Sequence, residues 1–81
     1  MPEHDTEVDA RGLICPLPVL RARKRLLAMR AGEVLRLLAD DPVAVIDVPH
    51  FCAQAGHEVI GTADDGPAQV WLIRRGADPI G

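Results

Sequence analysis

Tyrosine is absent from the 81 residues, and the only aromatic side chains besides histidine are Phe51 and Trp71. That excludes a core of stacked rings and argues against a nucleic-acid surface built on aromatic platforms. No stretch approaches the ~20 consecutive apolar residues of a membrane span. The acidic start Met-Pro-Glu-His-Asp lacks the basic-then-apolar order of a secretory leader. There is neither an internal repeat nor a low-complexity linker. Two cysteines, Cys15 and Cys52, are too few for a disulfide scaffold and fit a reducing compartment, so the expected location is the cytoplasm.

What is present is a globular balance, 48% hydrophobic and 26% charged residues, in a length that accommodates one domain over 1–81. Residues 1–6 and 76–81 are expected to be loose ends. The net charge of -3 opposes bulk attraction to nucleic acid. Locally the balance inverts: Arg21, Arg23, Lys24, Arg25 and Arg30 fall within ten positions with no acid among them. Such a run is either a solvated helix face or a dock for an acidic partner, with Arg21 and Lys24 nearest the chemistry described next.

Hydrophobic periodicity divides the chain into six elements. A short strand over 7–9 is interrupted by Arg11-Gly12, where glycine permits a sharp turn. A helix begins between Pro16 and Pro18, because proline is tolerated in a first turn. Val19, Ala22, Leu26 and Met29 recur at helical spacing, Leu20 and Leu27 widen the stripe, and Ala31-Gly32 closes it. Over 33–39 alternation puts Leu35, Leu37 and Ala39 on one strand face and Arg36 on a second, partly wet face. Asp40-Asp41-Pro42 reads as a helix cap followed by proline at the first helical position. Pro49 is expected to split the next helix into pieces over 43–47 and 49–55. Strands over 57–63 and 68–75 flank Asp64-Asp65-Gly66-Pro67 and form a hairpin. The order β-α-β-α-β-β gives an α/β (α+β) two-layer sandwich, with two helices on one face of a four-stranded mixed sheet. A right-handed first crossover makes the first two strands parallel.

Cys15 stands where the first strand hands over to the first helix. A free thiol has a pKa of ~8.5 and is a poor nucleophile at neutral pH. Lowering that value to about 7 takes roughly 2 kcal/mol, the upper end of a helix N-terminus contribution. Pro16 and Pro18 carry no N–H, so first-turn donors come mainly from Leu17, Val19 and Leu20. Help is expected from a cation, with Arg11 nearest in sequence and Arg21 or Lys24 next. The prolines are expected to stiffen the loop and keep the sulfur exposed. The competing reading makes Cys15 a small buried hydrophobe. Cys52, beside Phe51, reads as a packed core thiol. His50, Cys52 and His57 match no standard zinc spacing, so no metal and no cofactor is expected.

The run Asp9-Ala10-Arg11-Gly12-Leu13-Ile14-Cys15-Pro16-Leu17-Pro18 resembles the signature of the TusA/SirA family of sulfur-carrier proteins. A second segment, Asp40-Asp41-Pro42, Asp47-Val48-Pro49-His50-Phe51-Cys52 and Gly56-His57-Glu58, is similar to that family in residue types and spacing. The resemblance implies a sulfurtransferase that carries sulfane sulfur as a persulfide on Cys15. The donor would be a cysteine desulfurase or another persulfide donor, the receiver a downstream acceptor protein. In members closest to this pattern the route leads to 2-thiouridine in tRNA. It also implies that Pro16 and Pro18 form the rigid flank of Cys15 and that Asp40 and Asp41 belong to a partner-facing surface; Arg11, as the nearest cation, and Gly12, as the turn before the loop, are the other supporting residues. The competing functions are an RNA-binding module and a thiol-based regulator without sulfur transfer; the latter would need Cys15 and Cys52 within disulfide reach, their Cα atoms closer than ~7 Å.

Overall fold

The computed structural model describes residues 4–77. Four strands, β1 (Thr6–Asp9), β2 (Val34–Ala39), β3 (Glu58–Asp65) and β4 (Ala68–Arg74), form one sheet in the order β1-β2-β4-β3. Helices α1 (Leu17–Leu27) and α2 (Ala44–Ala55) alternate with the first three strands. β1 and β2 are parallel, with Asp9 opposite Leu38, and the other pairings are antiparallel. This is the expected two-layer mixed sandwich. None of the described helices is long and apolar enough to cross a membrane.

The core lies between the helices and one face of the sheet. Leu35, Leu37 and Ala39 of β2 are fully buried there, as their alternation requires, together with Trp71 and Ile73 of β4. Ala22 and Leu26 of α1 and Ala44, Val48 and Cys52 of α2 close over them. Truncating a fully buried leucine such as Leu37 to alanine typically costs about 2–5 kcal/mol. The opposite face is drier than Arg36 suggested, since Val34, Leu38, Val70 and Leu72 are all buried. Arg36 is half-buried there and paired with Glu7.

Several local expectations are corrected. Leu20 and Leu27 do not widen the buried stripe of α1; they are 48% and 66% exposed. That stripe is Pro18, Ala22 and Leu26, and the helix ends at Leu27 rather than at Ala31-Gly32. The buried Arg75 stands beyond it, its Nε donating to the Leu26 carbonyl at 2.8 Å. This meets one of the acceptors that a helix end leaves without an intrahelical partner. α2 is continuous through Pro49. Proline there forgoes one ladder bond, and the burial of Ala44, Val48 and Cys52 on either side of it holds the helix together. α2 also begins later than Pro42: its N-cap is Val43, with no side-chain cap, and Asp41 Oδ1 accepts the Val43 N–H at 3.0 Å in the turn ahead of the helix.

The expected loose ends shrink as well. The Asp5 N–H donates to the Val34 carbonyl at 2.8 Å and Thr6 is in β1. The Gly76 N–H donates to His57 Nδ1 at 3.0 Å. A Cβ on Gly76 would lie 1.9 Å from the Gly56 carbonyl oxygen, so only glycine allows this approach. The remaining parts of that expectation, residues 1–3 and 78–81, lie outside the described residues.

His57 links this packing to pH. Burial, with a smaller effect from the Arg75 charge, lowers its pKa below the ordinary 6.5. Its Nδ1 must also stay unprotonated to accept the Gly76 N–H. The unfolded chain therefore takes up the His57 proton first as pH falls, and stability declines from about pH 6.5 downward until the folded-state pKa is passed. Urea unfolding across this window is expected to show that slope in the wild type. It is expected to flatten in His57→Asn, whose Oδ1 can still accept from Gly76 and does not titrate.

Candidate functional site

Because β1 and β2 run parallel and end side by side, the segments that leave them meet at one edge of the sheet. The first leads to α1. The Ala10 N–H still donates to the Leu38 carbonyl at 2.8 Å, after which Gly12, at φ 81°, turns the chain in a conformation that favours glycine. The second segment supplies the acceptors. Gly12 N–H reaches both oxygens of Asp40, at 3.0 and 3.1 Å, and Cys15 N–H reaches Asp41 Oδ2 at 2.6 Å. Asp41 thus holds the cysteine loop with one oxygen and the Val43 N–H at the approach to α2 with the other. These two backbone donors keep its carboxyl pKa below the usual range.

Cys15 is half-buried, and the Cys15–Pro16 peptide is cis. Its Sγ donates to Asp47 Oδ2, on α2, at 2.7 Å. That bond, then desolvation, then the negative charges of Asp47 and Asp41 push the thiol up to about 11. The cation expected to lower it is not at the sulfur. Arg11 turns back on Asp9, with Nε and Nη2 donating at 2.9 and 2.8 Å, and this holds the Asp9 carboxyl down at about 2. Arg21 and Lys24 line a groove along β1. Two of the three expected first-turn donors are also committed elsewhere: Leu17 N–H to the Ile14 carbonyl at 2.9 Å, and Leu20 N–H to the Pro16 carbonyl at 3.1 Å. The helix mouth holds the thiol in place without drawing off its proton.

The structure therefore gathers Cys15, Gly12, Asp40, Asp41, Pro16 and Pro18, and leaves Arg11, Arg21 and Lys24 apart from the sulfur. The carboxylates of Asp40 and Asp41, expected on a partner-facing surface, are occupied by the cysteine loop. Pro16 is exposed and Pro18 buried, so one proline flanks the thiol while the other anchors α1 in the core. Two features escaped the sequence reading. Asp47 lies six residues beyond Asp41 and reaches the sulfur only through the parallel pairing of β1 with β2. Its one sequence signal is its place beside Val48-Pro49 in a segment already singled out. The other feature is an exposed apolar collar: Ile14 at 73%, Ile46 at 71%, Val43 and Leu17. Cys52 is 2% exposed, and burial pushes its thiol up to about 11. It is a core thiol, as expected.

Chemically, the arrangement offers one accessible thiol with a proton acceptor in contact and apolar surface around it. In Asp41→Ala the Cys15 and Val43 amides lose their shared acceptor. Hydrogen exchange at both is expected to rise roughly tenfold or more, with Gly12, held by Asp40, changing less.

A family model described as sulfurtransferase TusA matches residues 6–75. A sulfur carrier protein TusA of Allochromatium vinosum is 44% identical over 75 residues, covering 93% of this chain and 99% of that protein. A protein of the same name from Pseudomonas entomophila is 40% identical over 75 residues, covering 93% and 94%. Among solved structures, the crystal structure of a SirA-like protein from Desulfitobacterium hafniense superposes with a TM-score of 0.79 at 27% identity, covering 89% of this chain and 99% of that one. With the family model matching nearly the whole described fold and two relatives above 30% identity across almost their full lengths, the chain belongs to the TusA sulfurtransferase family.

Proposed function

We propose that this protein is a cytoplasmic sulfur carrier that accepts sulfane sulfur as a persulfide on Cys15 and relays it to an acceptor protein. Family membership supports the carrier role at the coarse level. The observation that carries the finer reading is the contact of Cys15 Sγ with Asp47 Oδ2 at 2.7 Å, inside a collar of exposed apolar side chains. A relay through protein partners needs a thiol that docking surfaces can approach and that does not react without them.

The resting carrier meets the second requirement. With its pKa near 11, roughly one Cys15 in ten thousand is thiolate at pH 7. In the loading step the Cys15 proton passes to the Asp47 carboxylate, and the thiolate attacks the outer sulfur of a donor persulfide, R–S–SH. The donor S–S bond breaks as the Cys15 S–S bond forms. R–S⁻ leaves and takes up a proton, giving Cys15–S–SH with no net oxidation or reduction. In unloading, an acceptor thiolate attacks the terminal sulfur and Cys15 returns to its bond with Asp47. Both halves are exchange at sulfur, so approach geometry and thiolate fraction set the rate. Neither a metal nor a cofactor enters.

The donor on this reading is a cysteine desulfurase or another protein persulfide. The downstream route suggested by the family resemblance is 2-thiouridine formation in tRNA, reached through an acceptor protein and not through direct RNA contact. Asp47 is a positioning and proton-accepting residue, and Asp40 and Asp41 keep Cys15 in its reach.

Incubation with a cysteine desulfurase and cysteine, followed by mass spectrometry of the intact protein, tests this. The wild type and Cys52→Ser are expected to gain sulfur, and Cys15→Ser is expected to gain none. An added sulfur that survives Cys15→Ser would overturn the assignment.

A further inference from the structure

A groove of about 670 Å³ runs between β1 and the outward face of α1. Its floor is Glu7, Val8 and Asp9, and no residue of β2 lines it, so it follows the free edge of the sheet. Its wall is the stripe Leu17, Leu20, Arg21 and Lys24, continued by Arg25, at the spacing of a single helix face. Leu17 and Leu20 are 43% and 48% exposed, unusual for leucines beside a sheet edge with nothing on them. The groove opens two residues from Cys15, at Leu17.

The charges around this groove are unbalanced. Its two acids already have partners, Glu7 with Arg36 and Asp9 with Arg11. Arg21, Lys24 and Arg25 form no ion pair among the described residues, leaving three cations above an open strand edge. A sheet edge offers unpaired backbone N–H and C=O groups, and natural proteins usually shield such an edge unless another chain adds to it.

We propose that this groove binds an extended, acidic segment of a protein partner, which adds as a fifth strand beside β1 while its carboxylates meet Arg21, Lys24 and Arg25. This rests on the relay reading and deepens it: the segment belongs to a protein that exchanges sulfur with Cys15, and the groove aligns it with the thiol. The four residues of β1, about 13 Å at ~3.3 Å each, pair with about four residues of the incoming segment. Its acidic side chains, at alternate positions, face the helix, where their carboxylates meet the cations and their methylene stems lie over Leu17 and Leu20; the apolar side chains between them turn to the other face of the sheet. Backbone pairing supplies affinity, and charge supplies selection and orientation.

The test uses the full chain, isotope-labelled and free of added sulfur, with three probes: a capped decapeptide alternating valine and glutamate, the same peptide with proline for valine, and a single-stranded RNA decamer. The Val-Glu peptide is expected to shift and protect β1 amides from exchange, weaken with salt, and lose roughly tenfold in affinity in Arg21→Glu/Lys24→Glu. The Pro-Glu peptide, lacking alternate N–H donors, is expected to bind at least about tenfold more weakly. Absence of Val-Glu binding would overturn the proposal. So would equal binding of the two peptides, shifts confined to the Ile14 and Ile46 collar, or RNA occupying the groove in preference to the peptide. Because binding is read without sulfur, whereas loading of Cys15 is read by mass, the failure of one is distinguishable from the failure of the other.

Discussion

Parallel pairing of β1 with β2 is the constraint on which the site depends. It brings the ends of two strands, Asp9 and Leu38, side by side, so the loop carrying Cys15 and the loop carrying Asp40 and Asp41 share one sheet edge. The crossover through α1 makes this possible, and the buried stripe of Pro18, Ala22 and Leu26 keeps α1 over the sheet. Were the strands antiparallel, the two loops would leave from opposite ends. The clasp of Gly12 by Asp40 and of Cys15 by Asp41 would then have no geometry to form. The packing of small and aliphatic residues in the core is thus tied directly to the position of one sulfur atom.

That position has a chemical sign. Helix N-termini and nearby cations generally lower thiol pKa values, but here carboxylates surround the sulfur and the first-turn N–H groups of Leu17 and Leu20 are spent on carbonyls. The result is a thiol held in reserve. For a carrier this is coherent, because a thiolate exposed between partners would react with any oxidant or disulfide it met. Neutralisation of Asp47 or Asp41 by a docked partner's cations would release the nucleophile where it is needed. The apolar collar of Ile14, Val43 and Ile46 supplies surface for such docking.

Much of the fold was legible because its signals are local. Alternation over Leu35, Leu37 and Ala39, the turn at Gly66, and proline at the mouth of α1 each act within a few residues. Pro49 misled for the complementary reason: the local cost of one lost helix bond is outweighed by packing of Val48 and Cys52 against the sheet, which no local pattern contains. The site divides along the same line. Cys15 and its prolines stand out in a short motif, and the weight given to Asp40 and Asp41 came from the resemblance. The role of Asp47 depends on a contact between segments about thirty residues apart. The turn of Arg11 toward Asp9 is local, an ion pair two residues apart that competes with any contact to the sulfur.

If carboxylates hold Cys15 as a thiol, titration of Cys15 by thiolate absorbance in a Cys52→Ala background shows it. The expected pKa is near 11, falling toward the ordinary thiol range in Asp47→Asn. A value at or below about 8.5 in the protein with Asp47 intact would contradict it and return activation to the cations or to the helix mouth.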